Sequence, residues 1–207
     1  FMSQKFIITG TGTGIGKTLA SAILMLGLDA EYWKPLQSGS PTDTDAVKTL
    51  TGLPPARFHK ESHVFKNALS PHIAAEMESM TIDINTIKAP QTPHTLIIEG
   101  AGGLMVPVTR TLLMIDLFKS LNAAVILCAR TELGTINHTL LSVEALRARG
   151  IPLHGLIFIG TAMKDTMQTI LDFTKAKMLG HIPLLPAQSP RALKNIFDTA
   201  SNKNDFI

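Results

Sequence analysis

The chain has 207 residues and a formal net charge of +3, and its 19 lysines and arginines are scattered rather than clustered. This charge predicts a solvated surface and argues against a nucleic-acid partner. No apolar run reaches the ~18 residues of a membrane span, no secretory leader is apparent, and a single cysteine excludes an internal disulfide. We therefore expect a cytoplasmic protein without a membrane partner, with one domain over residues 1–207.

The first predicted unit is a strand, a glycine-rich turn and a helix. The apolar run 6–8 precedes the turn Thr9–Thr18, and a helical pattern follows from Leu19 to Leu28. Glycines let backbone N–H groups surround phosphate oxygens, and the helix N-terminus and Lys17 add positive charge. Thr18 offers a hydroxyl to a phosphate-bound Mg²⁺. The predicted nucleotide-binding residues are Gly12, Thr13, Gly14, Ile15, Gly16, Lys17 and Thr18.

Other classes of protein carry similar glycine patterns. The usual P-loop places a glycine at the position of Thr11, whereas this chain has Gly10 one residue early. The same glycines also suit the cofactor turn of short-chain dehydrogenases, which need a Tyr-x-x-x-Lys pair. The only tyrosine is Tyr32, and the residue four positions later is Leu36, so that chemistry lacks its pair. A nucleoside triphosphate site is favoured, with a glycine-rich turn that binds no ligand as the alternative.

A second predicted strand covers residues 31–35 and ends in a loop rich in serine and glycine. Lys34 lies where this strand meets the loop, at the type of edge where α/β sheets bind ligands, so it is predicted to face the same ligand as Lys17. Asp43 and Asp45 follow, just before a helical stretch over 46–50. One is expected to cap the helix and the other to reach Mg²⁺. Residues 52–92 show one helical pattern, His72–Glu78, and no other clear element.

A third predicted strand, Thr95–Glu99, ends in a carboxylate followed by glycines. An acid at the end of a buried strand is costly unless it is paired or close to a metal, so Glu99 is predicted to bind Mg²⁺.

The remaining sequence alternates between helices and apolar strands. Helices are predicted over 112–121, 136–149 and 165–175, and strands over 124–129, 153–159 and 182–185. Strands without polar alternation indicate a parallel sheet that is covered on both faces. We therefore predict an α/β fold of the P-loop NTPase type, with Cys128 as a buried, inert thiol and a frayed polar tail over 201–205.

Taken together, these motifs resemble the dethiobiotin synthetases, the ATP-dependent carboxylases of biotin synthesis. The resemblance covers nearly the whole chain, and it depends on the order and spacing of several motifs rather than on any one of them. The motifs are Gly10–Thr18, Lys34–Gly39, Asp45–Ala46, Glu99–Gly103 with Pro107, and Leu133–His138.

The resemblance implies a reaction and a set of site residues. The substrates are ATP, CO₂ or bicarbonate, and 7,8-diaminononanoate, whose carbamate is phosphorylated before the second amine closes a ureido ring. Lys17, Lys34 and Ser38 are implied as catalytic residues, and Thr18, Asp45 and Glu99 as Mg²⁺ ligands. The implied substrate contacts are Thr13, Lys34 and Ser38 from one subunit of a homodimer, and Gly134, Thr135 and Asn137 from the other.

Two positions depart from the family pattern, and one other class shares the expected fold. Gly12 replaces an acid that is common in this loop, and Ile159 stands where relatives often carry an asparagine that contacts the adenine base. The alternative class is the partitioning and septum-positioning ATPases, which act as nucleotide switches with a protein partner. Their loop carries a lysine in the place of Thr11, which this chain lacks.

Overall fold

The computed structural model describes residues 4–185 and 188–206, and a parallel β-sheet forms its centre. Seven strands pair in the order β4-β2-β6-β1-β7-β8-β9, and β3 and β5 pair with each other in a separate parallel ribbon. The strands are β1 (Lys5–Gly10), β2 (Glu31–Trp33), β3 (Leu36–Ser38), β4 (Phe58–His59), β5 (His63–Phe65), β6 (Leu96–Gly103), β7 (Ala124–Arg130), β8 (Leu153–Ile159) and β9 (Met178–Ile182).

Seven α-helices and two short 3₁₀ turns connect or flank these strands in the described residues. None of these helices is long and apolar enough to cross a membrane. The helices are α1 (Lys17–Leu28), α2 (Asp43–Thr51), α3 (Pro71–Met77), α4 (Met114–Leu121), α5 (Thr135–Ala148), α6 (Lys164–Thr174) and α7 (Pro190–Ala200), and the 3₁₀ turns are Pro55–Arg57 and Lys203–Phe206.

Both faces of the sheet are buried, because successive residues of each strand point to opposite faces. In β1, Phe6 and Ile8 pack with residues of α1, α2 and α7, whereas Ile7 packs on the other side with α4 and α5. Helices α5 and α6 cover β7 and β8 on that second side. The predicted α/β fold with helices on both faces is confirmed.

The order of the strands brings the ends of β1, β2 and β6 together. Strand β6 lies between β2 and β1, and β7 follows on the far side of β1. The chain thus changes direction across the sheet at β1, and ligands of α/β proteins bind at such positions, outside the carboxyl ends of the strands. Lys34 and Glu99 therefore lie beside the loop that follows β1.

The C-terminal part of the chain differs from the sequence-based prediction. Strand β9 ends at Ile182, where the predicted strand began, and the unpredicted helix α7 follows it. The tail is not frayed, because Phe206 is buried and its ring lies 5.9 Å from that of Phe6 and 5.8 Å from that of Phe197. An apolar residue just beyond the polar stretch therefore anchors the tail to the sheet.

Candidate active site

A cavity of about 720 Å³ opens at the carboxyl edge of the sheet. Four segments form its wall: the loop between β1 and α1, the segment from β2 to the start of α2, the loop between β5 and α3, and the end of β6. The polar residues that line it include Thr13, Lys17, Thr18, Lys34, Ser38, Asp43, Ser70 and Glu99.

The loop between β1 and α1 has the backbone geometry of a phosphate-binding loop. Gly14 and Gly16 adopt φ values of +70° and +109°, which are unfavourable for any residue with a Cβ atom. Gly103 lets the loop lie close to β6, since a Cβ atom there would lie 3.3 Å from the carbonyl oxygen of Gly10. Backbone N–H groups at the start of α1 are thus available to phosphate oxygens.

Lys17 is the first residue of α1 and contributes a buried ammonium group to this loop. Its Nζ donates a hydrogen bond to the carbonyl oxygen of Gly12 at 3.0 Å. Burial lowers the pKa of Lys17, and the negative charge of Glu99 partly opposes this effect. The ammonium therefore lies within the loop and on the wall of the cavity.

Glu99 in β6 is fully buried and is surrounded by hydrogen-bond donors. Its carboxylate accepts from Thr18 Oγ1 at 3.0 Å, Ser21 Oγ at 2.8 Å, Tyr32 Oη at 3.0 Å and Lys34 Nζ at 3.4 Å. Burial, together with the neighbouring Glu99, raises the pKa of Tyr32 well above its ordinary value, so its hydroxyl remains a donor. These contacts explain how a charge is accommodated within a core strand, since β6 continues to Gly103 instead of ending at Glu99 as predicted.

Lys34 follows β2 and lies between two carboxylates. Its Nζ is 2.6 Å from Asp43 Oδ2 and 3.4 Å from Glu99 Oε1, and only 3% of the side chain is exposed. Burial alone would lower the pKa of Lys34, but the charges of Glu99 and Asp43 outweigh it and raise the pKa above the ordinary value. Lys34 is therefore a fixed cation on the cavity wall, at the edge predicted for it.

Asp45 does not lie where the resemblance implied. Thr42 is the N-cap of α2, and its Oγ1 accepts a hydrogen bond from the backbone N–H of Asp45. The same hydroxyl donates to the side chain of Asp45, which is 62% exposed. Residues two apart on a helix point to nearly opposite sides, so Asp43 faces the cavity when Asp45 faces solvent. This result corrects the placement of Asp45 and favours Asp43 as the acid near the ligand.

Ser38 and Thr13 both line the cavity, as predicted. The Oγ atom of Ser38 is buried and has no hydrogen-bond partner within the described residues. A buried hydroxyl without a partner is costly, and a ligand that supplies the missing hydrogen bond would remove this cost.

Gly134, Thr135 and Asn137 are not among the residues that line the cavity of the single chain. Gly134 precedes α5 with a φ of +94°, Thr135 is buried, and Asn137 is exposed. The implied contact of these three residues with the substrate is therefore not made within the cavity of the single chain.

Several residues at the site were missed in the sequence. Ser21 and Tyr32 donate to Glu99, and the guanidinium of Arg130 donates to the carbonyl oxygen of Gly14. The sequence offered one indication of the role of Ser21. This residue lies one turn after Thr18 within an otherwise apolar helix, so its hydroxyl requires a buried hydrogen-bond partner.

The fold and the cavity together define a nucleoside-triphosphate-binding protein of the P-loop class. Two solved structures support the fold. The septum site-determining protein MinD complexed with Mg-ADP from Pyrococcus horikoshii aligns with a TM-score of 0.56 at 13% identity, over 94% of each chain. A plasmid partition protein from Borrelia burgdorferi aligns with a TM-score of 0.55 at 14% identity, over 96% of this chain and 97% of that one. At these identities the likeness shows the fold alone.

Sequence relatives define the family. A family profile described as an AAA domain matches residues 4–192. The ATP-dependent dethiobiotin synthetase BioD of Rhodopseudomonas palustris (strain HaA2) is 47% identical over 208 residues, covering 100% of this chain and 98% of the relative. The corresponding protein of Agrobacterium fabrum is 46% identical with the same coverage. This chain belongs to the dethiobiotin synthetase family, and the resemblance in its motifs is confirmed.

The buried Lys17 ammonium leads to a prediction about ATP binding. Replacing Lys17 by alanine should raise the Kd for ATP at least tenfold, because a hydrogen bond to a charged group contributes ~1.5–3 kcal/mol. Isothermal titration calorimetry measures this change. The control is Lys48→Ala, which removes an exposed lysine of α2 that lies outside the cavity and should leave the Kd unchanged. An unaltered Kd for Lys17→Ala would exclude Lys17 from phosphate binding.

Proposed function

We propose that this protein converts 7,8-diaminononanoate, CO₂ and ATP into dethiobiotin, in a reaction that requires Mg²⁺. One observation carries this proposal within the family: two buried ammonium groups, Lys17 and Lys34, line one cavity beside a phosphate-binding loop. Carboxylation driven by ATP passes negative charge from a carbamate to a transferring phosphoryl group. Two fixed cations in a cavity of low dielectric are suited to stabilise that charge.

The proposed reaction has three steps. One amine of the substrate attacks CO₂ and loses a proton, which gives a carbamate. An oxygen of the carbamate attacks the γ-phosphorus of ATP, which forms a carbamic–phosphoric anhydride and releases ADP. The second amine then attacks the anhydride carbon, closes the ureido ring and releases phosphate. The amines act as nucleophiles themselves, so the protein contributes position and charge rather than a covalent intermediate.

Each cavity residue has a role in this scheme. The loop Gly12–Thr18 holds the phosphates, and Lys17 and Lys34 neutralise the carbamate and the γ-phosphoryl group. Ser38 donates its unpartnered hydroxyl to the carbamate, and Thr13 contacts the same part of the substrate. Lys34 carries its charge at neutral pH, since its pKa is raised.

The donor atoms at the cavity fit Mg²⁺. Thr18, Asp43 and Glu99 offer the hard oxygen ligands that this ion prefers, and we assign them to it in place of the set that included Asp45. The described residues contain no group of three or more histidine, cysteine, aspartate or glutamate side chains that could hold a metal ion. The proposed site therefore depends on two carboxylates, one hydroxyl and ligands from outside the protein. Mg²⁺ commonly completes its coordination with water and substrate phosphates. When bound, it would neutralise charge on the β- and γ-phosphates.

The assignment of Asp43 predicts how two neighbouring acids differ. Asp43→Asn should raise the Mg²⁺ concentration that gives half-maximal activity, because it removes a charge that a hard cation prefers. Asp45→Asn is the matched control and should leave that concentration unchanged, since among the described residues the Asp45 side chain pairs only with Thr42 and Lys48 at the exposed start of α2. Both variants are titrated with Mg²⁺ at a fixed ATP concentration. A shift for Asp45→Asn with none for Asp43→Asn would restore the first assignment.

The proposed function predicts which substrates ATP hydrolysis requires. Phosphate release should depend on both the diamine and bicarbonate, and mass spectrometry should detect one dethiobiotin for each phosphate. The alternative is a nucleotide switch, since the fold is shared with MinD and partition proteins. A switch would hydrolyse ATP without the diamine, or in response to a protein or membrane. Hydrolysis that ignores the diamine, with no dethiobiotin formed, would overturn the proposal.

We further propose that the protein is a cytoplasmic homodimer whose substrate site is completed across the interface. Leu133, which precedes the first turn of α5, is fully exposed, and Leu141 within α5 is 56% exposed. Contact with a second subunit would cover these large apolar side chains. Gly134, Thr135 and Asn137 would then hold the substrate carboxylate at the start of α5 of the second subunit.

A mixture of two inactive variants tests this arrangement. Subunits with Lys17→Ala lack one half of the proposed site, and subunits with Asn137→Ala lack the other half. Each mixed dimer contains one site built from two intact halves. If equal amounts of subunits exchange freely and the sites act independently, activity should rise to as much as about a quarter of wild type. Unmixed variants are the control. Sedimentation that shows an active monomer would exclude the arrangement.

A further inference from the structure

We infer that Ser70, which lines the cavity, and His72, which is hydrogen-bonded to it, form a proton-accepting pair that takes the proton from the amine that closes the ureido ring. The inference rests on the proposed function, and it assigns a residue outside the phosphate-binding machinery to the last chemical step. Three structural observations support it: the position of Ser70, the hydrogen bond to His72, and the engagement of the other cavity side chains.

Strands β3 and β5 place Ser70 beside Ser38. They pair in parallel, with Ser38 opposite Phe65, so the chain leaves both strands at the same edge. The backbone N–H of Gly39 donates to the carbonyl oxygen of Phe65 at 2.9 Å, and a Cβ atom on Gly39 would lie 2.7 Å from that of Ala68. The segment that leads to Ser70 therefore lies against the loop of Ser38, and both serines line the cavity.

Ser70 does not use its hydroxyl as a helix cap. A serine before the first residue of a helix usually accepts a hydrogen bond from a backbone N–H of the first turn. Ser70 occupies that position in α3 but makes no such bond. Its Oγ instead lies 3.0 Å from Nδ1 of His72. With the ring proton on Nε2, Nδ1 accepts the hydroxyl proton and leaves the lone pairs of Ser70 available to a donor in the cavity.

The other ionisable side chains that line the cavity are already engaged. Glu99 accepts from four donors, Asp43 is 2.6 Å from the Lys34 ammonium, and Lys17 donates to the loop carbonyl of Gly12. Lys17 and Lys34 serve the proposed reaction as cations, which a proton acceptor cannot be. The Ser70–His72 pair supplies the missing acceptor, and imidazole is the side chain best suited to accept a proton near neutral pH.

The charged residues around His72 do not prevent this role. Glu76 lies one turn further along α3, and its carboxylate accepts from the Arg110 guanidinium, with Nε to Oε1 at 2.6 Å. This ion pair is exposed and links α3 to the loop before α4. The Glu76 carboxylate is therefore engaged by Arg110 rather than by the imidazole of His72.

The proposed step is balanced in atoms and electrons. The lone pair of the neutral amine forms a C–N bond to the anhydride carbon, and the C–O bond to phosphate breaks with its electron pair on oxygen. The nitrogen loses one proton to Ser70 Oγ while the hydroxyl proton passes to Nδ1 of His72. The imidazolium then returns a proton to solvent, and the released phosphate takes one up.

The test separates ring closure from phosphoryl transfer. His72→Gln should lower the rate of dethiobiotin formation by about 10²–10⁴-fold, the usual contribution of a general base. The Kd for ATP should stay unchanged. Because an anhydride that is not captured is lost to water, the ratio of phosphate released to dethiobiotin formed should rise from one to above two. Ser70→Ala should raise this ratio in the same way. Ser70→Thr keeps a hydroxyl, so its ratio should lie closer to one than that of Ser70→Ala.

Controls distinguish failure of this inference from failure of the proposed function. His94→Gln changes a histidine that lies near Asp29 and Glu31 and has, within the described part of the chain, no hydrogen bond to a residue of the cavity, so it should keep the wild-type rate and ratio. If the wild-type protein forms no dethiobiotin, the proposed function itself fails. If the wild type is active and both His72→Gln and Ser70→Ala keep its rate and a ratio of one, the pair accepts no proton. Thermal melts identify misfolded variants, and Ser70→Ala decides the matter if His72→Gln does not fold.

Discussion

The buried carboxylate of Glu99 is the interaction on which the rest of the site depends. An unpaired charge in this position would cost several kcal/mol, yet Glu99 accepts hydrogen bonds from four side chains. Two donors come from α1, one from β2 and one from Lys34 just after it. The carboxylate therefore ties the helix behind the phosphate-binding loop to the neighbouring strand, and it fixes the lysine that faces the cavity. Removal of the acid would leave a buried cation with Asp43 as its remaining ion-pair partner.

Charge balance in the cavity gives a physical reason for a divalent cation. Lys17 and Lys34 carry two positive charges, and Asp43 and Glu99 carry two negative charges, so the four side chains are formally neutral together. A nucleoside triphosphate adds several negative charges that this arrangement does not offset. Because Asp43 forms an ion pair with Lys34, a cation that attracts the carboxylate would also free the ammonium for the phosphoryl group. This coupling supports the proposed roles of Mg²⁺ and Lys34 in one process.

The sequence predicts those parts of the site that short-range patterns determine. Lys17, Lys34 and Glu99 lie in or after the C-terminal parts of three apolar runs that the sequence identifies as strands. The carboxyl ends of parallel strands meet at one edge, so the convergence of these three side chains was predictable. The choice between Asp43 and Asp45 was not predictable, because it depends on the residue at which α2 begins. A shift of two residues along the helix reverses the side that faces the cavity. Helix α7 and the tail were also missed. Their apolar residues, such as Phe197 and Phe206, are few in sequence and gain their stability by packing on α1 and β1.

The part of the sequence with the weakest patterns contributes a section of the cavity wall outside the phosphate-binding loop. Residues 52–92 contain little periodicity, because β5 has only three residues and α3 has only seven, and neither is stable without tertiary contacts. Their positions depend on the pairing of β5 with β3, which no local sequence pattern predicts. The phosphate-binding loop and the sheet are shared with proteins of other functions, so they cannot select a substrate. Selection for a diamine must therefore arise from other parts of the cavity wall, and the loop of Ser38 with the segment of Ser70 packed against it forms one such part.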